Sequence, residues 1–335
     1  MSMILITGGA GYIGSHVVKE LGRKGYQAVV YDNLQTGHRA AVKDAPFVEG
    51  DLADTERLRK TFQSYPIDSV MHFAADCLVG ESVKDPVRYF TDNVKNSIQL
   101  LEIMCELNVN KLVFSSSAAV YGEPQSIPIT EEHPCQPKNP YGETKWIFER
   151  VIQAFHQSGR IDFVSLRYFN AAGADPEGAI GEHHSLESHL IPLCLQAALR
   201  GDSVSIFGMD YDTADGTCVR DYIHVTDLAQ AHILALEKIK KGEDSAVYNL
   251  GNGSGYSVRE VIEMARRVTG QEITATESER RPGDPACLVA SSEKIRRELG
   301  WAPRYPDLER IIETAWRWHH NHPQGYKNTA IEHRA

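Results

Sequence analysis

The chain has 335 residues, 42% hydrophobic and 24% charged, which is typical of a globular protein forming one large α/β unit or two adjoining domains. The formal net charge of −10 disfavours nucleic acid and anionic membranes as partners. No apolar run reaches the ~20 residues of a membrane helix, and no leader pattern precedes the first predicted strand, so we expect a cytoplasmic protein without membrane contact.

The first half of the sequence alternates short apolar runs with helical patterns. In chain order it predicts a strand at 4–7, a helix at 12–23, strands at 27–31, 46–49 and 69–73, a helix at 86–107, a strand at 111–115 and a helix at 141–156. Buried strands separated by helices indicate an α/β fold with a doubly wound parallel sheet of the Rossmann type.

The second half has longer loops that are richer in Gly, Asp and Pro, at 171–185, 208–216, 251–255 and 280–285. Long loops in a compact domain are usually functional. We therefore predict a nucleotide-binding domain at residues 1–170, to which some later segments return. Residues 171–335 would form a smaller substrate-binding portion.

A glycine-rich loop directly follows the first predicted strand and opens the first helix. In such a loop Gly8 permits a tight turn, Gly11 lets the backbone approach a pyrophosphate, and Gly14 lets the helix pack on the sheet. The free amides at the helix N-terminus then bind the anion. The loop therefore predicts a dinucleotide site.

Acidic residues follow the second and third predicted strands. Asp32, eighteen residues after Gly14 and followed by Asn33, is placed to accept the ribose hydroxyls of NAD and to repel the 2′-phosphate of NADP. Asp51 is a candidate for the adenine amine, and an alternative is that it caps the next helix. The cofactor predicted from these residues is NAD.

Tyr141 and Lys145 have the i, i+4 spacing that places two side chains on one face of a helix. A nearby ammonium group and the positive nicotinamide ring would both lower the phenol pKa from about 10, which suits proton transfer coupled to hydride transfer. Ser117 lies just beyond the predicted strand at 111–115 and is the candidate hydroxyl partner, whereas Ser116 is assigned a structural role.

The 14 histidines include two adjacent pairs, His183-His184 and His319-His320. Adjacent residues diverge on a helix, and we identify no carboxylate or cysteine at ligand spacing beside them, so we expect no metal site. The six cysteines form no Cys-x-x-Cys pair, which favours reduced thiols.

Taken together, motifs spread over about the first 300 residues resemble those of the extended short-chain dehydrogenase/reductase family, and within it the 4-epimerases of UDP-glucose and UDP-galactose. The motifs are 7–15 (TGGAGYIGS), 31–34 (YDNL), 50–51 (GD), 72–75 (HFAA), 80–82 (GES), 114–122 (FSSSAAVYG), 141–145 (YGETK), 167–170 (RYFN), 216–227 (GTCVRDYIHVTD), 249–251 (NLG) and 281–284 (RPGD). The combination is far more specific than any single motif.

The resemblance implies an isomerase with tightly held NAD that interconverts the two UDP-hexoses through a transient 4-keto sugar. Tyr141 would take the proton of the sugar 4-hydroxyl, Ser117 would assist, and Lys145 would tune Tyr141 while holding the nicotinamide ribose. It also implies a homodimer formed through residues 86–107 and 141–156, although those helices would serve equally well in a monomer core.

The resemblance also carries over binding residues position by position. The cofactor-binding set is Gly8, Gly11, Tyr12, Ile13, Gly14, Asp32, Asn33, Asp51, Leu52, Phe73, Ala74, Ala75, Asn93, Ser115, Tyr141, Lys145 and Tyr168. The substrate-binding set is Ser117, Tyr141, Asn170, His189, Leu190, Ser205, Phe207, Arg220, Tyr222, Arg281, Asp284 and Leu288. Within it the two arginines are expected on the diphosphate, because a guanidinium group forks onto phosphate oxygens.

Two residues depart from the family pattern. Cys77 replaces a common lysine near the cofactor phosphates, which predicts weaker NAD binding. Leu288 replaces a tyrosine that often narrows the sugar pocket, from which we hypothesise that UDP-N-acetylhexosamines are also substrates.

Three alternative functions stay open at this point. A 4-epimerase of another nucleotide sugar, such as a UDP-uronate, would differ mainly in its pocket lining. A 4,6-dehydratase commonly carries Asp-Glu where this chain has Ala118 and Ala119. A non-catalytic dinucleotide sensor would retain the glycine loop but lose the Tyr/Lys pair, which is intact here.

Overall fold

The computed structural model describes residues 2–281 and 283–326. Its strands are β1 (Met3–Thr7), β2 (Ala28–Asp32), β3 (Phe47–Glu49), β4 (Ile67–His72), β5 (Lys111–Ser117), β6 (Asp162–Tyr168), β7 (Asn170–Ala172), β8 (Ser203–Phe207), β9 (Val219–His224), β10 (Ala246–Leu250), β11 (Gly255–Ser257), β12 (Thr274–Ser278) and β13 (Cys287–Leu288). Its α-helices are α1 (Tyr12–Arg23), α2 (Thr55–Ser64), α3 (Val79–Lys84), α4 (Pro86–Phe90), α5 (Asn96–Glu106), α6 (Pro140–Gln157), α7 (Leu190–Arg200), α8 (Val225–Lys240), α9 (Val258–Thr269), α10 (Glu293–Leu299) and α11 (Leu308–Asn321).

The main sheet has seven strands in the order β10-β6-β5-β4-β1-β2-β3, all parallel. The strand order reverses between β1 and β4, and ligands of such sheets bind at the carboxyl ends of the strands near that point. The predicted doubly wound Rossmann-type fold is confirmed.

Both faces of the main sheet are buried, as a parallel sheet requires. Successive residues of β1 point to opposite faces: Ile6 packs with α1 and α8, and Leu5 packs in a second cluster with Phe62 of α2 and Phe148 of α6. The strands are therefore held between two layers of helices, which sets the position of the carboxyl edge of the sheet.

The predicted helix at 86–107 is interrupted, which corrects the sequence analysis. Residues Pro86–Phe90 and Asn96–Glu106 are α-helical, but Thr91–Lys95 form a π-helical turn. This turn carries Asn93, whose side chain bonds both backbone groups of Asp76, at 2.8 and 2.9 Å. Hydrogen-bonding by this side chain accompanies the local change of helical pitch, which the apolar periodicity of the segment did not reveal.

The second half of the chain contributes to two places. β10 pairs with β6 at the edge of the main sheet, and α8 packs against β5 and β6. The remainder forms a small sheet of β7, β9, β11 and β13 and a parallel pair, β8 and β12, beside α7, α9 and α11. Among the described residues, no helix has the length and apolarity that a membrane crossing requires.

Candidate active site

A cavity of about 1220 Å³ runs along the carboxyl edge of the main sheet and continues beneath the loops of the second half. It is lined by every residue predicted to bind cofactor or substrate, with the single exception of Asn93. Residues more than 250 positions apart in the sequence therefore share one wall. Such a volume suits two ligands placed end to end.

Asn93 lies behind the residues that line the cavity, and its assignment to the cofactor pocket stays a prediction. It is 4% exposed, and besides Asp76 its amide donates to Thr144 Oγ1 at 3.1 Å. Thr144 lies on α6 between Tyr141 and Lys145. Asn93 therefore fixes the loop after β4 to α6 and supports the cavity wall from behind.

The glycine loop has the geometry that the sequence predicts. A Cβ atom at Gly8 would lie 2.5 Å from the amide nitrogen of Ala74, and one at Gly14 would lie 2.8 Å from the Cα of Gly9. At Gly11 the backbone carbonyl of Gly8, at 3.3 Å, is the only neighbour within 4 Å, so that position faces open space. Gly11 is also the N-cap of α1 and offers no side-chain cap, so the first amides of the helix can receive an anion.

Asp32 ends β2 at the side of this loop. Its carboxylate accepts hydrogen bonds from the amides of Ala10 at 2.9 Å and Leu34 at 2.8 Å. Burial raises the pKa of Asp32, and these two bonds oppose the shift. The carboxylate is thus fixed at the cavity wall beside the glycine loop.

Asp51 belongs to the same part of the cavity, where Asn33 donates to it at 2.7 Å. The alternative that Asp51 caps the next helix is wrong, because Asp54 is the N-cap of α2 and accepts from the amide of Arg57.

Tyr141 and Lys145 project into the middle of the cavity from the first turns of α6. The helix begins there because Asn139 caps it, accepting from the amide of Gly142 at 2.9 Å, and Pro140 occupies its first position. Lys145 Nζ donates to the carbonyl of Ser115 at 2.8 Å and lies 5.9 Å from the centre of the Tyr141 ring. The two side chains therefore share a face, as their spacing predicts.

The electrostatics of this pair depend on burial. Desolvation lowers the pKa of Lys145 to about 8, although Cys77 and Glu149 act in the opposite direction. Desolvation raises the pKa of Tyr141, with Tyr168 adding to the shift and the hydroxyl of Ser117 opposing it. A positive charge placed beside the phenol would oppose this shift and favour the phenolate.

The three serines that end β5 differ in their surroundings. Ser117 faces the cavity, and Ser115 bonds the hydroxyl of Tyr168. Ser116 is fully buried and donates to Glu149 on α6. Glu149 in turn pairs with Arg167 at 2.5 Å, so this network binds β5, β6 and α6 together below the site.

The far half of the cavity carries the predicted nucleotide-binding residues. Arg220 on β9 donates to Asp284 at 2.7 Å, and the guanidinium carbon of Arg281 lies 4.0 Å from the centre of the Phe207 ring. Asn170 on β7 donates to the carbonyl of Asp221 at 3.0 Å. The other predicted members of this wall are Leu190, Ser205, Tyr222 and Leu288. Two guanidinium groups are thus brought together by segments that are distant in the sequence.

A cluster of four side chains was missed by the sequence analysis. Glu182, His184, Glu187 and His189 converge in the loop before α7, with one potential ligand atom of each lying within 4.8 Å of the others. His189, predicted as a substrate residue, lines the cavity, and its Nδ1 also lies 2.7 Å from Glu182. The statement that no carboxylate lies at ligand spacing beside His184 is therefore wrong.

The signal for this cluster was present in the sequence as Glu-x-His-x-x-Glu-x-His over residues 182–189. It becomes visible only when the spacing is compared with an irregular loop rather than with a helix. Burial by itself would lower the pKa of His189, but the neighbouring carboxylates Glu182 and Glu187 raise it well above its ordinary value.

Comparison with known proteins agrees with this geometry. The sequence matches the NAD dependent epimerase/dehydratase family over residues 4–251, nearly three quarters of the chain. The chain belongs to that family. The resemblance drawn from the motifs is thereby confirmed.

The curated relatives of this NAD-dependent epimerase/dehydratase family member include the UDP-glucose 4-epimerase of Halalkalibacterium halodurans. The two are 56% identical over 324 residues, which is 96% of this chain and 97% of the relative. A crystal structure of a UDP-glucose 4-epimerase superimposes with a TM-score of 0.95 at 51% identity, covering 98% of this chain and all of the other. The enzyme from Brucella ovis, solved with NAD, gives a TM-score of 0.92 at 46% identity, over 94% and 98% of the two chains.

Proposed function

We propose that this chain is an NAD-dependent isomerase that interconverts UDP-glucose and UDP-galactose at C4 of the hexose. The observation that carries the proposal is the continuity of the cavity. Its dinucleotide half, with the glycine loop and Asp32, meets its arginine-lined half at Tyr141, Ser117 and Lys145. A nucleotide sugar bound through its diphosphate would place its hexose at that junction.

When bound, NAD supplies the acceptor and donor of hydride. Tyr141 takes the proton of the sugar 4-hydroxyl as C4 is oxidised, and it returns that proton when C4 is reduced on its other face. Ser117 hydrogen-bonds the reacting oxygen, and the ammonium of Lys145 stabilises the phenolate. Both faces of the 4-keto sugar must reach the nicotinamide, so the hexose has to turn inside the cavity.

Such a turn requires that the nucleotide be held firmly and the hexose loosely. Arg220 and Arg281 are suited to the firm part, because each guanidinium group presents a planar set of donors to phosphate oxygens. Asn170, Tyr222 and Asp284 would complete this half of the site. Near Tyr141 the wall includes the small residues Ala118 and Ala119, which leave space beside the hexose.

NAD rather than NADP is the proposed cofactor. Asp32 is 6% exposed and held by two backbone amides, so its carboxylate cannot turn away from a 2′-phosphate. Asp51 and Asn33 add polar groups at the adenosine end and no positive charge.

Two other reactions fit the cavity less well. A 4,6-dehydratase needs an added acid/base pair near the hexose, and the alanines at 118 and 119 line the wall where it would stand. A 4-epimerase of UDP-uronates would have to accommodate a further carboxylate. Both are outcomes that a substrate survey would reveal.

We also propose that UDP-N-acetylhexosamines are substrates. Leu288 lines the cavity and packs at the edge of an apolar cluster containing Phe169. A Leu288→Tyr substitution should abolish epimerisation of UDP-N-acetylglucosamine while retaining that of UDP-galactose. Absence of any turnover of UDP-N-acetylglucosamine by the unmodified enzyme at high concentration would refute this part.

We further propose that the chain divides into two domains at residue 170, that it forms a homodimer, and that it is located in the cytoplasm. Val87 and Phe90 on α4 are 75% and 38% exposed, which supports pairing of residues 86–107 between two copies. All six cysteines are free thiols, as expected in a reducing compartment. Sedimentation should give a dimer that Val87→Asp splits and that Ile127→Asp, at another exposed apolar position, leaves intact.

The test of the main proposal is one incubation of purified enzyme with UDP-galactose and no added cofactor, followed by NMR of the anomeric proton. Formation of UDP-glucose would support the epimerase and show that NAD co-purifies. Conversion only after NAD is added would mean that the cofactor is weakly held, as Cys77 predicts. No conversion in either case would overturn UDP-galactose as substrate.

A further inference from the structure

The loop between β7 and α7 gathers nitrogen and oxygen ligands at one point of the cavity wall. The side chains of Glu182 and Glu187 are 4% and 5% exposed, and that of His184 is 19% exposed. His189 covers the cluster from the solvent side, at 47%. Two buried carboxylates thus face two imidazoles, of which only that of His189 is in contact with solvent.

Three of the four nitrogen–oxygen distances in the cluster have the length found within a coordination shell. His184 Nδ1 lies 3.4 Å from Glu182 Oε1 and 3.3 Å from Glu187 Oε2, and His189 Nδ1 lies 3.4 Å from the other oxygen of Glu187, Oε1. A tetrahedral zinc ion with ligands at about 2.0–2.1 Å would separate them by about 3.3–3.4 Å. Direct charge-assisted hydrogen bonds are shorter, at about 2.7–2.9 Å, and only the pair of His189 and Glu182, at 2.7 Å, falls in that range.

We propose that Glu182, His184, Glu187 and His189 bind one divalent transition-metal ion of the zinc type. Both histidines would coordinate through Nδ1, and each glutamate would supply one oxygen. Mixed imidazole and carboxylate ligands suit zinc and its neighbours, whereas calcium and magnesium prefer oxygen alone.

The charge balance supports a divalent ion. Two carboxylates and two neutral imidazoles neutralise a 2+ charge completely. Among the ion pairs of the described residues, Glu182 and Glu187 pair only with these two histidines. The cluster lines the same cavity as the glycine loop and the two arginines, so an electroneutral unit would not repel the diphosphates bound there.

The ligands are also positioned by contacts that need no ion. His38 Nε2 donates to the carbonyl of His183 at 3.0 Å, and Gly181 donates to the hydroxyl of Tyr326 at 3.0 Å. One oxygen of Glu187 accepts from the amides of Ser188 and His189, both at 2.8 Å. Such supporting contacts reduce the ordering that ion binding would otherwise require.

The inference does not depend on the proposed epimerase function, and its test does not use activity. Untagged enzyme with its native cofactor is incubated with zinc, desalted and analysed for metal by mass spectrometry. We expect about one zinc per chain. Cobalt in place of zinc should give the visible absorption bands of a tetrahedral site.

Substitutions of the cluster glutamates test whether the zinc ion lies at this cluster. Glu182→Gln and Glu187→Gln should each weaken zinc binding by about 100-fold, because each replaces a charged ligand with a poor one of the same shape. Glu272→Gln and His320→Asn, both exposed and outside the cluster, should bind zinc as the unmodified enzyme does. Circular dichroism of each variant checks that it is folded.

Two results would overturn the proposal. If the unmodified enzyme retains no zinc above the level of a protein without the cluster, the four side chains form a double ion pair with protonated histidines. If the glutamine variants are folded and bind zinc as tightly as the unmodified enzyme, the ion lies elsewhere.

Discussion

The two halves of the cavity are built in different ways. The cofactor half is formed largely by backbone from short contiguous segments: the amides of the glycine loop are free to receive an anion, and backbone amides hold Asp32. The arginine-lined half, called the nucleotide half below, is formed by side chains from β7, β8, β9 and α7, together with Arg281, Asp284 and Leu288. One half is therefore specified by local sequence and the other by tertiary packing, and substitutions should affect them differently.

Substitutions at the junction of the two halves should reduce the catalytic rate more than substitutions in either half. Tyr141→Phe removes the proton-transferring hydroxyl and leaves the ring, so we expect kcat to fall by about 10³-fold, with KM little changed. Tyr65→Phe, outside the cavity, is the control and should retain full activity. A folded Tyr141→Phe enzyme with near-normal kcat would mean that another group takes the proton.

Cofactor binding should be lost when a single methyl group is added to the glycine loop. Gly14→Ala places a Cβ against the backbone of the glycine loop, and a displacement of about 1 Å can weaken productive binding about 100-fold. Gly22→Ala lies on the same helix with nothing within 4 Å, so it should keep NAD and stabilise α1 by up to about 1 kcal/mol. Equal cofactor content in the two purified variants would contradict a backbone-built site.

Substitutions in the nucleotide half should raise KM for the UDP-sugar and leave the rate of the chemical step unchanged. Arg220→Met removes a charged donor worth about 1.5–3 kcal/mol, so KM for the UDP-sugar should rise about 10- to 150-fold while NAD content stays unchanged. Arg310→Met, on the exposed side of α11, is the matched control. A loss of NAD together with the rise in KM would show that the halves are not independent.

The smallest effect is expected at His72, which lies below the cofactor half and affects the pH dependence of stability. His72 is 2% exposed between Thr7 and Ser97, and burial lowers its pKa to about 3. Below about pH 6.5 the imidazole of His72 binds a proton in the unfolded chain but not in the folded protein. The free energy of unfolding is therefore unaffected by His72 above pH 6.5 and decreases as the pH falls from 6.5 towards 3.

Denaturant unfolding at pH 7 and pH 5.5 measures this contribution. The unmodified protein should lose about 1 kcal/mol more over that interval than His72→Gln does. His320→Gln, on an exposed position, should behave like the unmodified protein. Identical pH dependence in all three would mean that His72 is not held neutral.

The same difference in construction explains what the sequence could predict. Apolar runs and the glycine loop are local signals, so the bounds of α1 and the order of the first strands follow from them. The π-helical turn carries the tertiary contact of Asn93 with Asp76, and the periodicity of the helix does not record it.

The nucleotide half was located through the resemblance of separate motifs, because no local pattern joins Asn170, Arg220 and Arg281. The cluster of Glu182, His184, Glu187 and His189 escaped because the histidines were considered as helical neighbours. In the irregular loop their spacing instead turns all four side chains to a common point. Side chains on irregular backbone are thus the part of the site least accessible to sequence reasoning.

The central claim is that C4 of the hexose is oxidised and reduced again within one cavity. The most direct measurement is epimerisation of UDP-galactose carrying deuterium at C4, in ordinary water, with NMR and mass analysis of the UDP-glucose formed. The account predicts that the deuterium is retained at C4, because hydride leaves and returns without exchange with solvent. Loss of the deuterium to water would contradict it and would indicate that C4 is inverted by proton removal instead.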